Sequence, residues 1–77
     1  MIKVFGYNGC TYCTKATDLL KKNGKAFEYY DIKDPQHKDK LNYLKDRELF
    51  TVPQVLLDEV HIGGYSELLT LSEAGLL

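Results

Sequence analysis

The first half of the chain alternates between apolar runs and one amphipathic stretch. Residues 2–5 form a mostly apolar segment that stops at Gly6, which is typical of a short buried strand. Across residues 11–23, apolar or small side chains recur at helical spacing while lysines fall on the other faces, which predicts an amphipathic helix. An Asn-Gly pair at 23–24 can close that helix, and the aromatic, β-favouring run 26–32 then predicts a second strand.

The second half of the chain opens with a charged helix and closes with two strands and a third helix. Residues 34–48 begin with an Asp-Pro pair suited to a helix start, and their charges indicate a solvated helix face. Segments 55–57 and 60–62 favour strands and are separated by two residues, which is the length of a tight hairpin turn. Leucines at helical spacing within 65–74 predict the third helix, for which Ser66 is a candidate cap.

The predicted order of elements is strand, helix, strand, helix, strand, strand, helix. A strand–helix–strand unit pairs its strands in parallel with a right-handed crossover, whereas a tight hairpin must be antiparallel. We therefore predict an α/β fold with a mixed four-stranded sheet flanked by three helices. No repeat, linker or low-complexity stretch interrupts the 77 residues, so we expect residues 1–77 to form a single domain.

Charge and hydropathy exclude several classes of function. Ten basic and eleven acidic residues give a formal net charge of −1, so we expect neither nucleic acid nor a membrane surface as a partner. No apolar run approaches the roughly 20 residues that cross a bilayer, and the N-terminal residues lack the apolar core of a signal peptide. We accordingly expect a location in the cytoplasm. We also expect a monomer.

Two cysteines carry the candidate chemistry, and they lie where the first strand's loop meets the first helix. A disulfide between Cys10 and Cys13 would constrain the unfolded chain little, and structural disulfides are rare in a reducing compartment. Zinc requires four ligands, and the only other usual nitrogen or sulfur ligands, His37 and His61, are not spaced like a zinc-finger pair. We therefore expect redox chemistry and no metal site.

The position of the pair predicts different roles for its two sulfurs. Unpaired backbone N–H groups and the helix dipole stabilise an anion at a helix start, so the pKa of Cys10 should lie below the ordinary value of about 8.5. Cys13, one helical turn later, can reach the same sulfur but points further into the protein. Cys10 is therefore the predicted nucleophile toward a substrate disulfide, and Cys13 is the predicted resolving thiol.

Three segments together resemble the glutaredoxin family, namely Cys10-Thr11-Tyr12-Cys13, Thr51-Val52-Pro53 and His61-Ile62-Gly63-Gly64. The match spans essentially the whole chain. It implies a thioredoxin-like fold in which Pro53 is cis and lies beside the cysteines. It also implies a dithiol oxidoreductase that has no tightly bound cofactor, uses glutathione as its reducing co-substrate, and acts on disulfide-containing proteins, with ribonucleotide reductase among the candidates.

The same resemblance implies a glutathione site beside the cysteines. The backbone of Val52 can pair with an extended peptide or with glutathione. A ligand can approach Gly63 and Gly64 closely, and the N–H groups of the next helix can hold a glutathione carboxylate. The predicted binding residues are Tyr12, Thr51, Val52, Pro53, Gly63, Gly64, Ser66 and Glu67.

The chain departs from the family pattern in ways that leave two alternatives open. Thr11 replaces a common proline, which is compatible with a glutathione-ligated iron–sulfur binding module. Tyr7, Leu49 and Phe50 occupy places where basic residues usually pair with the glycyl carboxylate of glutathione, and Arg47 is a candidate replacement. A redoxin recharged by thioredoxin reductase therefore stays open, with Tyr7 and Phe50 either on a protein-binding surface or in the core.

Overall fold

A computed structural model describes residues 1–77, and its four strands form one sheet. In chain order the strands are β1 (Ile2–Gly6), β2 (Phe27–Asp31), β3 (Gln54–Leu57) and β4 (Val60–Gly63). Their spatial order is β2-β1-β3-β4, with β1 parallel to β2 and the other two pairings antiparallel. The predicted mixed four-stranded sheet is confirmed, and β1 lies in its interior between β2 and β3.

Three α-helices flank the sheet, as the sequence predicts: α1 (Thr11–Lys22), α2 (Lys38–Asp46) and α3 (Tyr65–Glu73). The two ends of the predicted second helix were wrong. The Asp34 carboxylate caps a separate 3₁₀ turn that covers Pro35–His37, and α2 begins only at Lys38. At the other end Glu48 has a φ of 56°, a left-handed conformation that cannot continue a helix. None of the helices has the length and hydropathy of a membrane span.

The residue that caps the start of α3 is Gly64 and not the predicted Ser66. Gly64 is the residue that precedes the helix, and its backbone N–H donates to the Glu67 carboxylate at 2.7 Å. Glu67 lies three residues along the chain, which is the spacing at which a glutamate side chain reaches back to the helix start. Ser66 is inside the helix, where its hydroxyl donates to the other oxygen of Glu67.

The hairpin between β3 and β4 has the predicted two-residue turn, although neither residue is glycine. Asp58 and Glu59 have φ values of 48° and 69°, the left-handed conformations that a tight hairpin turn of this kind requires. The N-terminal ammonium group pairs with Asp58, and Lys3 pairs with Glu59. These contacts fix the turn beside the beginning of β1.

The main hydrophobic core lies between the sheet and the helices α1 and α3. Its buried members are Ile2, Val4, Ala16, Leu20, Val55 and Leu68. A smaller cluster of Phe5, Leu44 and Leu56 packs α2 against the opposite face of the sheet. Consecutive residues of β1 therefore pack on opposite faces of the sheet. This packing fixes the position of the loop that follows Gly6 and leads into α1.

Candidate redox site

The two cysteines lie at the N-terminal end of α1 and are joined in a disulfide. Their Cα atoms are 5.2 Å apart, within the usual range for a disulfide. Cys13 is 1% exposed, whereas Cys10 is only partly buried. The structure thus places one accessible sulfur in front of one buried sulfur, which is the arrangement on which the two predicted roles depend.

Cys10 is itself the N-cap residue of α1. Its Sγ accepts a hydrogen bond from the backbone N–H of Cys13 at 3.1 Å, the position in which a serine or aspartate oxygen usually caps a helix. The first turn of α1 contains no acidic residue. The Lys15 ammonium lies 4.9 Å from the Tyr12 ring centroid. The helix N–H groups therefore supply the favourable field for an anionic sulfur at Cys10.

The loop before β3 contacts Cys10. The peptide bond between Val52 and Pro53 is cis, as the family resemblance implies, and the Val52 carbonyl oxygen lies 3.8 Å from Cys10 Sγ. Val52 makes no backbone–backbone hydrogen bond. Its N–H and C=O groups are consequently free to pair with an extended substrate backbone, in the manner of an added strand.

A cleft of about 460 Å³ opens between this loop and the start of α3. Its walls include all eight predicted non-cysteine binding residues, which come from three separate segments of the chain. They are Tyr12, Thr51, Val52, Pro53, Gly63, Gly64, Ser66 and Glu67, and Gln54 and Tyr65 complete the lining. The structure brings the predicted residues together, and their roles in binding stay predictions.

The Glu67 carboxylate gives this cleft a negative charge close to the backbone of Gly63. Gly63 has a φ of 117°, and a Cβ there would lie 2.7 Å from Glu67 Cγ, so both conformation and space require glycine. Hydrogen bonds from the Ser66 hydroxyl and the Gly64 N–H lower the pKa of Glu67. The cleft therefore presents an anion next to the other N–H groups of the helix start, which suits a ligand that carries both an ammonium and a carboxylate.

Gln54 is a buried polar residue of the cleft that is not among the residues predicted from the sequence. Its Nε2 donates to the Thr51 carbonyl at 2.8 Å and to the Thr51 hydroxyl at 3.2 Å, and its Oε1 lies 2.6 Å from Nε2 of His61. These bonds tie the loop before β3 to the neighbouring strand β4. A polar residue directly after Pro53, opening an otherwise apolar strand, is the signal that could have identified it.

The histidines are engaged in structural contacts. His61 bonds to Gln54, and Nδ1 of His37 lies 3.1 Å from the Asp31 carbonyl oxygen. No group of three or more histidine, cysteine, aspartate or glutamate side chains is arranged to hold a metal ion.

Tyr7, Leu49 and Phe50, which stand where the family usually has basic residues, line an apolar groove. Its volume is about 180 Å³, and it is lined by Tyr7, Ile32, Leu41, Leu44, Lys45, Leu49, Phe50 and Val52. Phe50 is 79% exposed, so it is a surface residue and not part of the core. Arg47 does not line this groove or the cleft: its guanidinium stacks 3.6 Å from the Tyr43 ring centroid and donates to the Tyr43 carbonyl.

The parallel β–α–β unit, the cysteine pair at the start of α1 and the cis-proline beside it define a protein with a thioredoxin-like fold. The family profile described as glutaredoxin matches residues 2–62. Glutaredoxin 1 from Escherichia coli (strain K12) is 36% identical over 70 residues, covering 83% of this chain and 82% of that protein. The chain belongs to the glutaredoxin family.

Solved structures agree with this assignment. The crystal structure of Glutaredoxin 1 from Francisella tularensis complexed with cacodylate has a TM-score of 0.77 at 31% identity, covering 97% of this chain and 94% of that chain. A buckwheat glutaredoxin–glutathione complex has a TM-score of 0.83 at 24% identity, covering 99% and 71%, and supports the fold alone. Family membership and the Cys10–Cys13 pair identify a thiol–disulfide oxidoreductase.

Proposed function

We propose that this chain is a dithiol glutaredoxin that reduces protein disulfides and mixed disulfides with electrons from glutathione. The observation that carries the proposal is the position of Cys10 Sγ, which caps α1 and lies beside the unpaired backbone of Val52. The Cys10 thiolate attacks a substrate disulfide, forms a mixed disulfide with one half and releases the other half as a thiol. Cys13 then attacks Cys10 Sγ, which releases the second half and leaves the internal disulfide.

Two glutathione molecules return the protein to its dithiol form. The first glutathione thiolate attacks Cys10 Sγ, forms a mixed disulfide there and frees Cys13, which takes up a proton. The second attacks the glutathione sulfur of that mixed disulfide, so that oxidised glutathione leaves and Cys10 is again a thiolate. The two glutathione thiols together lose two electrons, and the internal disulfide gains the same two.

The cleft beside Pro53 supports glutathione as the reductant. The γ-glutamyl end of glutathione carries an ammonium and a carboxylate, and the cleft offers the Glu67 anion and the N–H groups at the start of α3. The unpaired Val52 backbone suits the peptide portion of the same molecule.

The test is a coupled assay with NADPH, glutathione reductase, glutathione and a small glutathione mixed disulfide. We expect turnover by the unsubstituted protein, none by Cys10→Ser, and retained turnover by Cys13→Ser, because that substrate needs only Cys10. Circular dichroism controls for folding of both variants. Failure of glutathione to support turnover, with thioredoxin reductase supporting it instead, would overturn the choice of reductant.

A second candidate is a redoxin recharged by thioredoxin reductase, and the apolar groove favours it. Tyr7, Leu49 and Phe50 offer no positive charge to glutathione's glycyl carboxylate, and Arg47 is held on Tyr43. Lys45 is the one basic residue that lines the groove. An exposed Phe50 beside an apolar groove suits contact with a protein surface instead. The same coupled assay decides between the candidates when thioredoxin reductase replaces glutathione and its reductase.

The remaining assignments are also proposals. We propose a monomer in the reducing cytoplasm, with disulfide-containing proteins as substrates and ribonucleotide reductase as one to test first. The alternative of an iron–sulfur binding module rests on Thr11, which opens α1 in place of a proline. Purification without air distinguishes it: a colourless protein with no bound iron is expected, whereas a coloured, glutathione-dependent dimer would favour the module.

A further inference from the structure

The Tyr29 hydroxyl and the buried Cys13 sulfur face the same space behind the disulfide, above Gly6. An ideal Cβ on Gly6 would lie 2.7 Å from Cys13 Sγ and 2.7 Å from the Tyr29 hydroxyl oxygen. Both atoms therefore border the same small volume. A second cleft of about 280 Å³ includes Cys13 and Tyr29 but not Cys10, so this region is separate from the predicted glutathione site.

We propose that Tyr29 activates the resolving thiol by donating a hydrogen bond to Cys13 Sγ as that sulfur becomes a thiolate. The inference deepens the dithiol function proposed above and rests on it. It addresses a problem that burial creates: Cys13 is 1% exposed, and removal from water disfavours a thiolate. Cys13 does not occupy the capping position that favours an anion, since that position belongs to Cys10.

Two other hydroxyl groups of this cleft are already engaged within α1. Thr17 donates to the carbonyls of Cys13 and Thr14, and Thr14 donates to the Cys10 carbonyl, so both threonine hydroxyls are used within α1. The one charged residue lining the cleft is Lys21, a cation, and no carboxylate lines it. Tyr29, whose hydroxyl borders Cys13 Sγ over Gly6, is the hydroxyl placed to change its partner.

The present partner of the Tyr29 hydroxyl is the carbonyl oxygen of Tyr7 at 3.2 Å. This is long for a hydrogen bond between two oxygens. Once the disulfide opens, a small movement of either side chain, with rotation of the phenolic hydrogen, brings the hydroxyl to Cys13 Sγ. Burial, with a smaller effect of the Asp31 carboxylate, raises the pKa of Tyr29. The phenol therefore stays protonated at neutral pH. Lys21 of α1 lines the same cleft, and the Asp31 carboxylate of β2 acts on the phenol.

The step balances without any further reactant. In the mixed disulfide, Cys13 releases its proton to water in the cleft, and its thiolate attacks Cys10 Sγ. The bond between the two protein sulfurs forms as the bond from Cys10 to the substrate sulfur breaks. The substrate leaves as a thiolate and takes a proton from water. The Tyr29 hydrogen bond raises the fraction of Cys13 that is ionised and ready to attack.

The expected effect is moderate because a lower thiol pKa also lowers nucleophilicity. A hydrogen bond to a charged group of ordinary strength changes an ionisation equilibrium by about tenfold to a hundredfold. Nucleophilicity falls with a Brønsted slope of about 0.4–0.5, which cancels roughly half of that change on a logarithmic scale. Loss of the hydroxyl should therefore slow the resolving step about three- to tenfold at neutral pH.

The experiment compares Tyr29→Phe with Tyr30→Phe in a stopped-flow reaction of the reduced protein with an aromatic disulfide that releases a coloured thiolate. The first coloured product reports attack by Cys10, and the second reports attack by Cys13. For Tyr29→Phe we expect an unchanged first phase, a slower second phase and an upward shift of its pH midpoint. Tyr30, which packs edge-on against Phe5, is the matched control, and its variant should change neither phase.

Each outcome is informative. A second phase in Tyr29→Phe with the rate and pH midpoint of the unsubstituted protein overturns the role of Tyr29. Absence of a second phase in the unsubstituted protein overturns the dithiol mechanism itself. If Tyr29→Phe does not fold, a fluorotyrosine at position 29 serves as the second variant. It keeps the shape and strengthens the donor, so the pH midpoint of the second phase should fall; an unchanged midpoint overturns the inference.

Discussion

Replacing Gly6 with alanine would add one methyl group between Cys13 and Tyr29. The new Cβ would lie 2.7 Å from Cys13 Sγ, 2.7 Å from the Tyr29 hydroxyl oxygen and 3.2 Å from Cys13 Cβ. Favourable carbon contacts lie at about 3.5–4.0 Å, so the neighbouring side chains would have to move by several tenths of an ångström or more. Both are held in place, because Cys13 belongs to α1 and Tyr29 to a paired strand.

The magnitude follows from two opposing effects. Overpacking a well-packed site costs about 1–3 kcal/mol. Gly6 has no left-handed φ, so alanine would also reduce the freedom of the unfolded chain, which stabilises by about 0.4–1 kcal/mol. The clash is the larger effect, and we expect Gly6→Ala to lower the free energy of unfolding by about 1–2 kcal/mol.

Urea denaturation of the oxidised protein measures this change. The double variant Gly6→Ala with Tyr29→Phe removes one of the two clashing atoms, so it should recover part of the loss relative to Tyr29→Phe alone. A Gly6→Ala protein as stable as the unsubstituted one, with no coupling to position 29, would refute the close packing of Cys13 and Tyr29 over Gly6.

Three further results are expected. Glu67→Gln should raise the KM for glutathione several-fold at pH 7 in the coupled assay, because it removes the anion proposed to bind the ammonium; an unchanged KM would remove Glu67 from the binding site. Because the pKa of Glu67 is lowered, the stability that its carboxylate contributes is present above the ordinary carboxylate pKa and is lost as pH falls through the lowered pKa. Leu20→Ala, at a fully buried position of the main core, should cost about 2–5 kcal/mol in urea denaturation, and a cost below about 1 kcal/mol would contradict the described packing. Phe50→Ala should change stability by less than about 0.5 kcal/mol because the side chain is exposed. If a protein reductase docks there, this variant should slow recharging by thioredoxin reductase, while an equal loss with glutathione would contradict a protein-specific surface.

Local sequence signals predicted most of the fold. The spacing of small and apolar residues gave α1, and the position of Cys10 directly before it gave the helix-capping sulfur. Two residues between β-favouring segments gave the turn at Asp58 and Glu59. The predicted Ser66 cap of α3 was wrong. Glu67 lies three residues after Gly64, and its side chain reaches back to the helix start in place of Ser66.

Contacts between distant parts of the chain could not be predicted in the same way. Cys10 and Val52 are 42 residues apart, and their contact depends on how β1 and β3 pair. The meeting of Tyr29 with Cys13 depends on the register of β1 and β2 and on the absence of a side chain at Gly6. The sequence contains these residues, but only tertiary packing decides which of them touch.

The pH dependence of Cys10 alkylation measures how strongly the start of α1 stabilises the Cys10 thiolate. A hydrogen bond to a charged group contributes about 1.5–3 kcal/mol and the helix dipole about 0.3–1 kcal/mol, and about 1.4 kcal/mol corresponds to one pKa unit. In reduced Cys13→Ser protein, the rate of iodoacetamide alkylation should therefore have its midpoint at least about one unit below the ordinary thiol value of about 8.5. A midpoint at about 8.5 or higher would contradict the claim that the start of α1 holds Cys10 as a thiolate.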